Sequence, residues 1–364
     1  LTSGTTWHSA AQVRQLRSTE SLTKLVQNSV KLYSSLEDET GQATGWQQSG
    51  SLSIATNSDR LTHIRRQVSL SKAFGIGAEE ISVKEASEKW PLMRTNDLIG
   101  AVYSPSDGRV GPSDICAALI KGAKSKGLQV YEDTRVAGIR TKNGRVSAVQ
   151  TEQGEITCET VVNCAGIWGR SIAAMVGVTA PLHACEHFYL LTELMDSITS
   201  PLPTLSDHDG HIYLRDEGGG LLVGCFEPKG KALDLEQLPE NFVFDLLPED
   251  WDHIEPIIIN AIHRIPELEQ TGVKMLINGP ESFTPDDRFL LGESPELRGF
   301  FLGCGMCSVG IASGGGAGQA LAEWIMDGEP SMDLWSVDIR RFVPAQNTLR
   351  TLRERSPETL SLHY

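Results

Sequence analysis

Apolar side chains recur at every third or fourth position in several parts of the chain, which is the pattern of a helix with one buried face. The clearest case is 20–40, where Gly41 is placed to end the helix. Its apolar positions are Leu22, Leu25, Val26, Leu32, Tyr33 and Leu36. Further helices are predicted at 59–75, 84–90, 112–127, 169–177, 250–264 and 316–326.

Alternating or continuous short apolar runs predict the strands. Asn143 and Gly144 form a two-residue hairpin signal inside a compact β region, so a three-stranded meander is expected there. The predicted strands are 51–55, 128–131, 136–141, 146–151, 155–158, 160–164, 186–192, 210–215, 221–226 and 300–303. The change of pattern at 181 indicates an inserted domain that ends near 279, and the mixture of elements predicts an α/β (α+β) protein.

Composition narrows the class of protein. The 364 residues carry 32 Lys and Arg against 47 Asp and Glu, a formal net charge of −15, which argues against nucleic-acid binding. Seven cysteines are too few and too scattered for a disulfide framework, so a reducing compartment is expected. No apolar run reaches the length of a membrane-spanning helix.

Two segments have the composition of ligand-binding turns. The stretch 303–318 is rich in glycine and precedes the helix predicted at 316–326, whose N-terminus would attract an electron-rich oxygen. A helix packed closely on a sheet through small residues is the equally weighted alternative. The strand 160–164 ends in Ala165 and Gly166, where open α/β sheets bind ligands, although small residues there also serve packing alone.

Histidines mark two further candidates. His8 follows a glycine and two threonines, and a neutral imidazole is a nucleophile near pH 7, although a surface histidine is the simpler interpretation of this motif alone. If the strands that carry His187 and Tyr213 pair, both side chains reach one pocket and bind a carboxylate or move a proton. Cross-strand packing is the alternative. Cys304 and Cys307 have metal-like spacing without a second pair, so no metal site is expected.

Taken together, these stretches resemble the FAD-dependent sarcosine and dimethylglycine dehydrogenases, within the D-amino-acid-oxidase-like flavoproteins. The resemblance covers nearly the whole chain and rests on 1–8, 163–168, 279–286 and 299–305. The stretches 181–192 and 249–253 also resemble the regulatory subunit of pyruvate dehydrogenase phosphatase. The resemblance therefore leaves two functions open, an amine-oxidising enzyme and a flavoprotein-like regulator.

The resemblance implies the cofactor, the substrate and the site residues. It implies FAD attached covalently to His8, an N-methyl amino acid substrate, and a catalytic pair formed by His187 and Tyr213. It also implies an electron-transfer flavoprotein as a possible partner, and a location in the mitochondrial matrix in a eukaryote or the cytoplasm in a bacterium. Besides His8, the implied FAD contacts are Gly4, Thr5, Thr6, Trp7, Val136, Cys164, Ala165, Gly166, Trp168, Gly303, Gly305, Gly310 and Ile311.

The chain departs from that family's pattern at both ends. The Gly-x-Gly-x-x-Gly fingerprint of the dinucleotide fold is absent, and so is the folate-binding domain that would use tetrahydrofolate, so we interpret the chain as a fragment. Such a fragment is expected to bind FAD poorly or to expose a sheet edge. The implied fold is a discontinuous, glutathione-reductase-like FAD-binding domain, truncated at its N-terminus, at 1–55, 103–180 and 279–330. A mixed-sheet substrate domain occupies 56–102 and 181–278, and 331–364 is a linker.

Overall fold

The computed structural model describes residues 1–362, which form eight α-helices and seventeen strands in those residues. The helices are α1 (Glu20–Thr40), α2 (Ser58–Ala73), α3 (Val83–Lys89), α4 (Pro112–Ser125), α5 (Gly169–Ala174), α6 (Trp251–Arg264), α7 (Gly310–Asp327) and α8 (Leu349–Leu362). The first nine strands are β1 (Gln12–Val13), β2 (Ser51–Ala55), β3 (Glu79–Ile81), β4 (Gly100–Ser104), β5 (Gly108–Arg109), β6 (Val136–Lys142), β7 (Arg145–Thr151), β8 (Gly154–Thr157) and β9 (Val161–Asn163). The others are β10 (His183–Thr192), β11 (Thr204–Asp207), β12 (Ile212–Glu217), β13 (Gly220–Cys225), β14 (Lys231–Leu233), β15 (Val273–Phe283), β16 (Leu290–Glu293) and β17 (Phe300–Cys304).

A large mixed sheet carries most of the strands. Its order is β14-β10-β13-β12-β11-β2-β4-β3, and β15 pairs with the other edge of β10 over ten residue pairs. The main core lies between this sheet and helices α3 and α6, where Trp90, Phe188, Ile254 and Ile257 are buried. β2, which our domain division assigns to the first FAD-binding segment, is an inner strand of this sheet.

A second, three-stranded sheet contains the carboxyl ends that the sequence marks as ligand-binding. β9 and β17 are parallel, with Phe301 opposite Val162, and β16 runs antiparallel to β17. The second edge of β9 pairs with no other strand of residues 1–362, and Val162 is 40% exposed. The meander β6-β7-β8 forms as predicted.

Three sequence-based expectations differ from the structure. The strand predicted at 128–131 does not form in the described chain, and Leu128 and Tyr131 are exposed, because no neighbouring strand supplies hydrogen bonds there. The helix predicted at 316–326 begins six residues earlier, at Gly310. The segment expected as a linker contains α8, whose Leu352 and Leu360 are fully buried and which packs on β10, β14 and β15.

Close packing explains the early start of α7. A Cβ on Gly316 would lie 2.0 Å from the backbone oxygen of Leu25 in α1, and a Cβ on Gly315 would lie 3.0 Å from Ser29 Cα. The hydroxyl of Ser29 accepts the Gly316 N–H at 2.9 Å, and the hydroxyl of Tyr33 accepts the Gly315 N–H at 3.1 Å. The glycines therefore let two helices touch, which offsets their weak helix propensity of about 1 kcal/mol each.

We expect Gly316→Ala to lower the free energy of unfolding by about 1–3 kcal/mol, because the new methyl group meets backbone atoms of α1 that cannot rotate away. Gly318→Ala in the same helix is the matched control, since a Cβ there meets no atom within 4 Å. That control should gain up to about 1 kcal/mol from better helix propensity. Urea denaturation of both variants measures the difference, and equal effects would show that the close contact does not limit position 316.

Candidate functional site

One cavity of about 940 Å³ is lined by residues from both the beginning and the late part of the chain. His8, near the start, lines it together with Ser308, Val309 and Ile311, which lie at the N-terminal end of α7. His187 and Tyr213 of the large sheet also line it. The opening histidine and the late glycine-rich segment, which the sequence singles out separately, therefore face a common space.

His8 is a buried imidazole with an unused nitrogen. It ends the 3-10 turn Thr5–His8, is 6% exposed, and its Nε2 atom has no hydrogen-bond partner in the described chain. The ring lies directly over Gly279 of β15, where a Cβ would be 2.3 Å from His8 Cε1. Burial lowers the pKa of His8, and the opposing charge of Glu281 does not reverse this. The imidazole of His8 is therefore neutral near pH 7, which is the form of a histidine that can act as a nucleophile.

His187 has the opposite character because of Glu227. The Nδ1 atom of His187 donates to both carboxylate oxygens of Glu227, at 2.7 and 2.9 Å, and the Phe188 N–H donates to the same carboxylate at 3.0 Å. Glu227 has only 1% of its side chain exposed. Burial alone would lower the pKa of His187, but the charge and hydrogen bonds of Glu227 outweigh burial and raise it to about 9. His187 is therefore a cation at neutral pH.

Tyr213 lines the cavity although its strand does not pair directly with the strand of His187. β10 and β12 are not direct neighbours, since β13 lies between them. Gly224 of β13 stands opposite both Tyr189 and Tyr213. A Cβ on Gly224 would be 1.8 Å from Tyr213 Cζ, so the tyrosine ring covers the glycine. The direct pairing on which the prediction was conditional does not occur, but His187 and Tyr213 both line the cavity.

Cationic groups line the cavity beside Phe226. Burial, together with the charges of Arg14, Arg60 and His63, lowers the pKa of His208 to about 3. The Nδ1 of His208 and the Nε of Arg14 are buried and have no hydrogen-bond partner among residues 1–362. A buried donor or acceptor without a partner is costly, so these atoms favour a bound anion or a polar ligand.

The N-terminus of α7 supplies backbone donors to the same cavity. No described side chain caps this helix, whose N-cap is Val309, and its first turn contains no acidic residue. Its free N–H groups and partial positive charge therefore remain available to an electron-rich group. Beside it, the Ser308 hydroxyl donates to Glu281, which is two residues along β15 from the glycine beneath His8.

The remaining implied cofactor contacts lie outside the cavity lining. Because β9 and β17 are parallel, their carboxyl ends meet, and a Cβ on Gly303 would lie 3.2 Å from Cys164 Sγ. Gly4 packs against the Trp168 ring, which brings the N-terminal turn to the same place. In the N-terminal turn, the Thr5 hydroxyl donates to the Pro280 carbonyl, the Thr6 carbonyl accepts from the Ser9 N–H, and the Trp7 ring packs on His8. The others are placed by the ends of elements: Ala165 and Gly166 follow β9, Gly305 follows β17, Gly310 begins α7, and Val136 begins β6. Their contacts with a cofactor stay predictions.

Sequence reasoning missed several residues that line the cavity or contact its lining. Glu227 had a weak signal, since it is an acidic residue two positions beyond a wholly apolar strand. Glu281 lies inside a stretch that carries the family resemblance but was not singled out there. No sequence pattern marked Arg14 or His208 as site residues. They come together only because the fold brings β1, which Arg14 follows, beside the large sheet, where His208 follows β11.

The described chain contains neither a metal-binding cluster nor a membrane-spanning helix. Among residues 1–362, no group of three or more His, Cys, Asp or Glu side chains is arranged to hold a metal ion. None of the helices described here is long and apolar enough to cross a membrane.

Comparison with known families decides the family. A model described as FAD dependent oxidoreductase matches residues 1–324, and a model of the FAD dependent oxidoreductase central domain matches 327–364. This chain belongs to the FAD-dependent oxidoreductase family. The resemblance drawn from the sequence is thereby confirmed.

Individual members of this family are similar along the whole chain. Mitochondrial sarcosine dehydrogenase of Mus musculus is 44% identical over 100% of this chain and 40% of its own length. The mitochondrial pyruvate dehydrogenase phosphatase regulatory subunit of the same species is 41% identical over 100% of the chain and 42% of its own length. The chain thus spans about two fifths of these relatives.

Solved structures confirm the α/β fold of this FAD-dependent family. The crystal structure of L-proline dehydrogenase from P. horikoshii superposes with a TM-score of 0.82, at 24% identity, over 93% of this chain and 88% of that one.

The cavity fits the flavin ring of FAD. His8 lines the cavity and the buried Nε2 of His8 has no hydrogen-bond partner in the described chain, while the uncapped N-terminus of α7 suits an electron-rich carbonyl. His8, Ser308, Val309 and Ile311 would hold the ring. When bound, FAD supplies a two-electron acceptor.

Proposed function

We propose that this protein carries out FAD-dependent oxidative demethylation of an N-methyl amino acid such as sarcosine or dimethylglycine. The observation that carries the proposal is the shared cavity, in which a neutral nucleophilic His8 and a cationic His187 face one space. The similarity to sarcosine dehydrogenase supports the substrate class. Hydrolysis of the oxidised substrate would yield formaldehyde and the demethylated amino acid.

Different residues of the cavity would bind the substrate carboxylate and exclude water. The substrate carboxylate requires positive charge, which His187 and the Arg14 side of the cavity provide. The amine must react in its neutral form, because a cationic nitrogen has no electron pair to assist removal of hydride from its methyl carbon. His187 is already protonated at neutral pH, so it orients the anion and does not take the amine's proton. The Tyr213, Tyr189 and Phe226 rings exclude water.

Covalent attachment of the cofactor through His8 is part of the proposal. The imidazole nitrogen of His8 would hold the cofactor through a C–N bond, and dioxygen would be the two-electron oxidant that this attachment requires. The unused nitrogen and lowered pKa of His8 support this role.

Mass spectrometry of the denatured, protease-digested complete protein tests the attachment. We expect the peptide that contains His8 to carry the flavin mass, and His8→Gln to release the flavin entirely on acid treatment. His63→Gln is the matched control, because His63 lines the same cavity and is partly exposed. Free flavin from the unmodified protein would reject the attachment.

Activity is tested with sarcosine and dimethylglycine as substrates of the complete, flavin-loaded protein. We expect the flavin absorbance to bleach on addition of one of them under anaerobic conditions, and formaldehyde to appear in a stoichiometric amount. A loaded protein that is inert to both amines rejects the demethylase. The electron acceptor, which we propose to be an electron-transfer flavoprotein, is tested in the same assay by adding it in place of oxygen.

The second candidate function is a regulatory subunit of pyruvate dehydrogenase phosphatase, supported by the 41% identity to that subunit. A protein that is inert to both amines but alters phosphatase activity would favour it. The mitochondrial relatives support a mitochondrial location in a eukaryote, and a cytoplasmic one is the counterpart in a bacterium. Tetrahydrofolate would be used only by a domain outside this chain.

A further inference from the structure

Glu227 is a buried acid that the proposed chemistry does not use directly. It follows β13 and contacts His187, but it is not itself among the residues that line the cavity. Its carboxylate accepts two contacts from His187 Nδ1 and one from the Phe188 N–H. A fully buried carboxylate is expensive unless it is paired with a cation and hydrogen-bonded. This one is paired only if His187 carries a proton on each ring nitrogen.

The geometry leaves the other ring nitrogen for the cavity. His187 lies on β10 opposite Gly279, the residue beneath the His8 ring, and it lines the cavity together with His8. Since Nδ1 is committed to Glu227, Nε2 is the nitrogen that remains for a ligand. Both nitrogens of an imidazolium are donors, so Nε2 offers an N–H to an acceptor and has no electron pair to receive a proton.

We infer that Glu227 is a positioning residue that fixes His187 as an imidazolium, so that His187 binds the carboxylate of the substrate through Nε2–H and does not act as a general base. The inference deepens the proposed function, on which it rests for the identity of the anion. The charge of His187 alone would then make the cavity favour an anionic ligand, and the cationic groups beside Phe226 would add to that preference.

Other charged groups near His187 act in known directions. Glu281 of β15 raises the pKa of His187 as Glu227 does, whereas burial opposes both. His8 is neutral and adds no charge. The Cys225 thiol beside Glu227 stays protonated, because burial, reinforced by that carboxylate, raises its pKa. Removal of Glu227 therefore leaves burial opposed mainly by Glu281, so His187 should become neutral near physiological pH.

The charge of His187 is measured by NMR titration of the complete protein labelled at histidine Cε1, with His187→Gln used to assign the signal. We expect the unmodified protein to show His187 protonated up to a pH of about 9. Glu227→Gln should bring that midpoint below 7. A neutral His187 at pH 7.5 in the unmodified protein overturns the inference, and this measurement needs no variant that changes the Glu227 site.

Acetate, as a simple carboxylate, tests the binding role. We expect acetate at pH 7.5 to bind at least tenfold more weakly to Glu227→Gln and to His187→Gln than to the unmodified protein, and no further loss in the double variant. Equal acetate affinity in all four proteins overturns the binding role. Neither experiment uses an amine substrate, so failure of the proposed demethylation would not produce either result.

Glu186→Gln is the matched control. Glu186 precedes His187 on β10, but its carboxylate contacts Lys231 at 3.2 Å and Asn278 at 2.7 Å instead of the cavity histidine. We expect its loss to leave the titration midpoint of His187 unchanged. A midpoint that falls equally in both variants would assign the effect to general loss of negative charge and would overturn the specific role of Glu227.

Discussion

Replacement of Arg264 by alanine is expected to lower the free energy of unfolding by about 3–5 kcal/mol. Arg264 ends α6, is 1% exposed, and donates through Nε to Asp207 at 2.8 Å and through both terminal nitrogens to Asp97 at 2.9 Å. Asp207 lies at the end of β11 and is 3% exposed. Without Arg264, the Asp207 carboxylate remains buried and loses its cationic partner, which is the main cost.

Arg65→Ala is the control for that prediction. Arg65 also donates two hydrogen bonds to one carboxylate, that of Glu80, at 2.7 and 2.8 Å, but both side chains are largely exposed to water. Exposed ion pairs contribute little, so its denaturation midpoint should stay near that of the unmodified protein. Urea denaturation at one pH measures both variants. If both lost the same stability, burial of the Arg264 network would not be the cause.

The second large effect depends on pH. The pKa of His187 is raised from 6.5 to about 9 in the folded protein, so the folded state holds this proton more tightly than the unfolded state. The resulting stabilisation is complete below pH 6.5 and is lost as the pH rises to about 9. The size of the shift corresponds to about 3 kcal/mol.

This pH dependence is measured by urea denaturation at several values between pH 6 and 10, for the unmodified protein and for His187→Gln. We expect the difference in unfolding free energy between the two to shrink across that range. A difference that does not change with pH would contradict the raised pKa. Comparison of two proteins at each pH cancels the titration of all other groups that the substitution leaves unaffected.

Elements with strong local signals were predictable from the sequence. The helix at 20–40 forms as α1, because its apolar stripe is regular and Gly41 adopts a left-handed conformation with φ of 62° that ends it. The meander forms because Asn143 and Gly144 both take the positive φ that a tight hairpin requires. In these cases neighbouring residues alone decide the conformation.

Elements that depend on distant contacts were not predictable. Gly315 belongs to the stretch predicted as a loop, yet it lies inside α7, where a glycine lets the helix contact α1. The alternation at 128–131 predicts a strand, but a strand also needs a neighbour, which the sequence does not show. The charged composition of 349–362 predicts a surface segment, but Leu352 and Leu360 are buried because the helix packs on the large sheet.

The candidate site divides in the same way. His8, His187 and Tyr213 were singled out from sequence, and the structure brings all three to one cavity. The charge on His187 was not predictable, because it depends on Glu227, which lies 40 residues away. Sequence reasoning left proton transfer and carboxylate binding open for His187, and the buried acid favours binding.

The ten-residue ladder between β10 and β15 includes His187 and Gly279 as one of its residue pairs. Its amide hydrogens should therefore exchange with solvent only when β15 separates from β10, whereas the segment that contains Cys307 and Ser308, both at positive φ, should exchange through local fluctuations. Amide hydrogens in the β10–β15 floor of the cavity should therefore exchange slowly, and those in the 307–308 segment at its rim should exchange quickly.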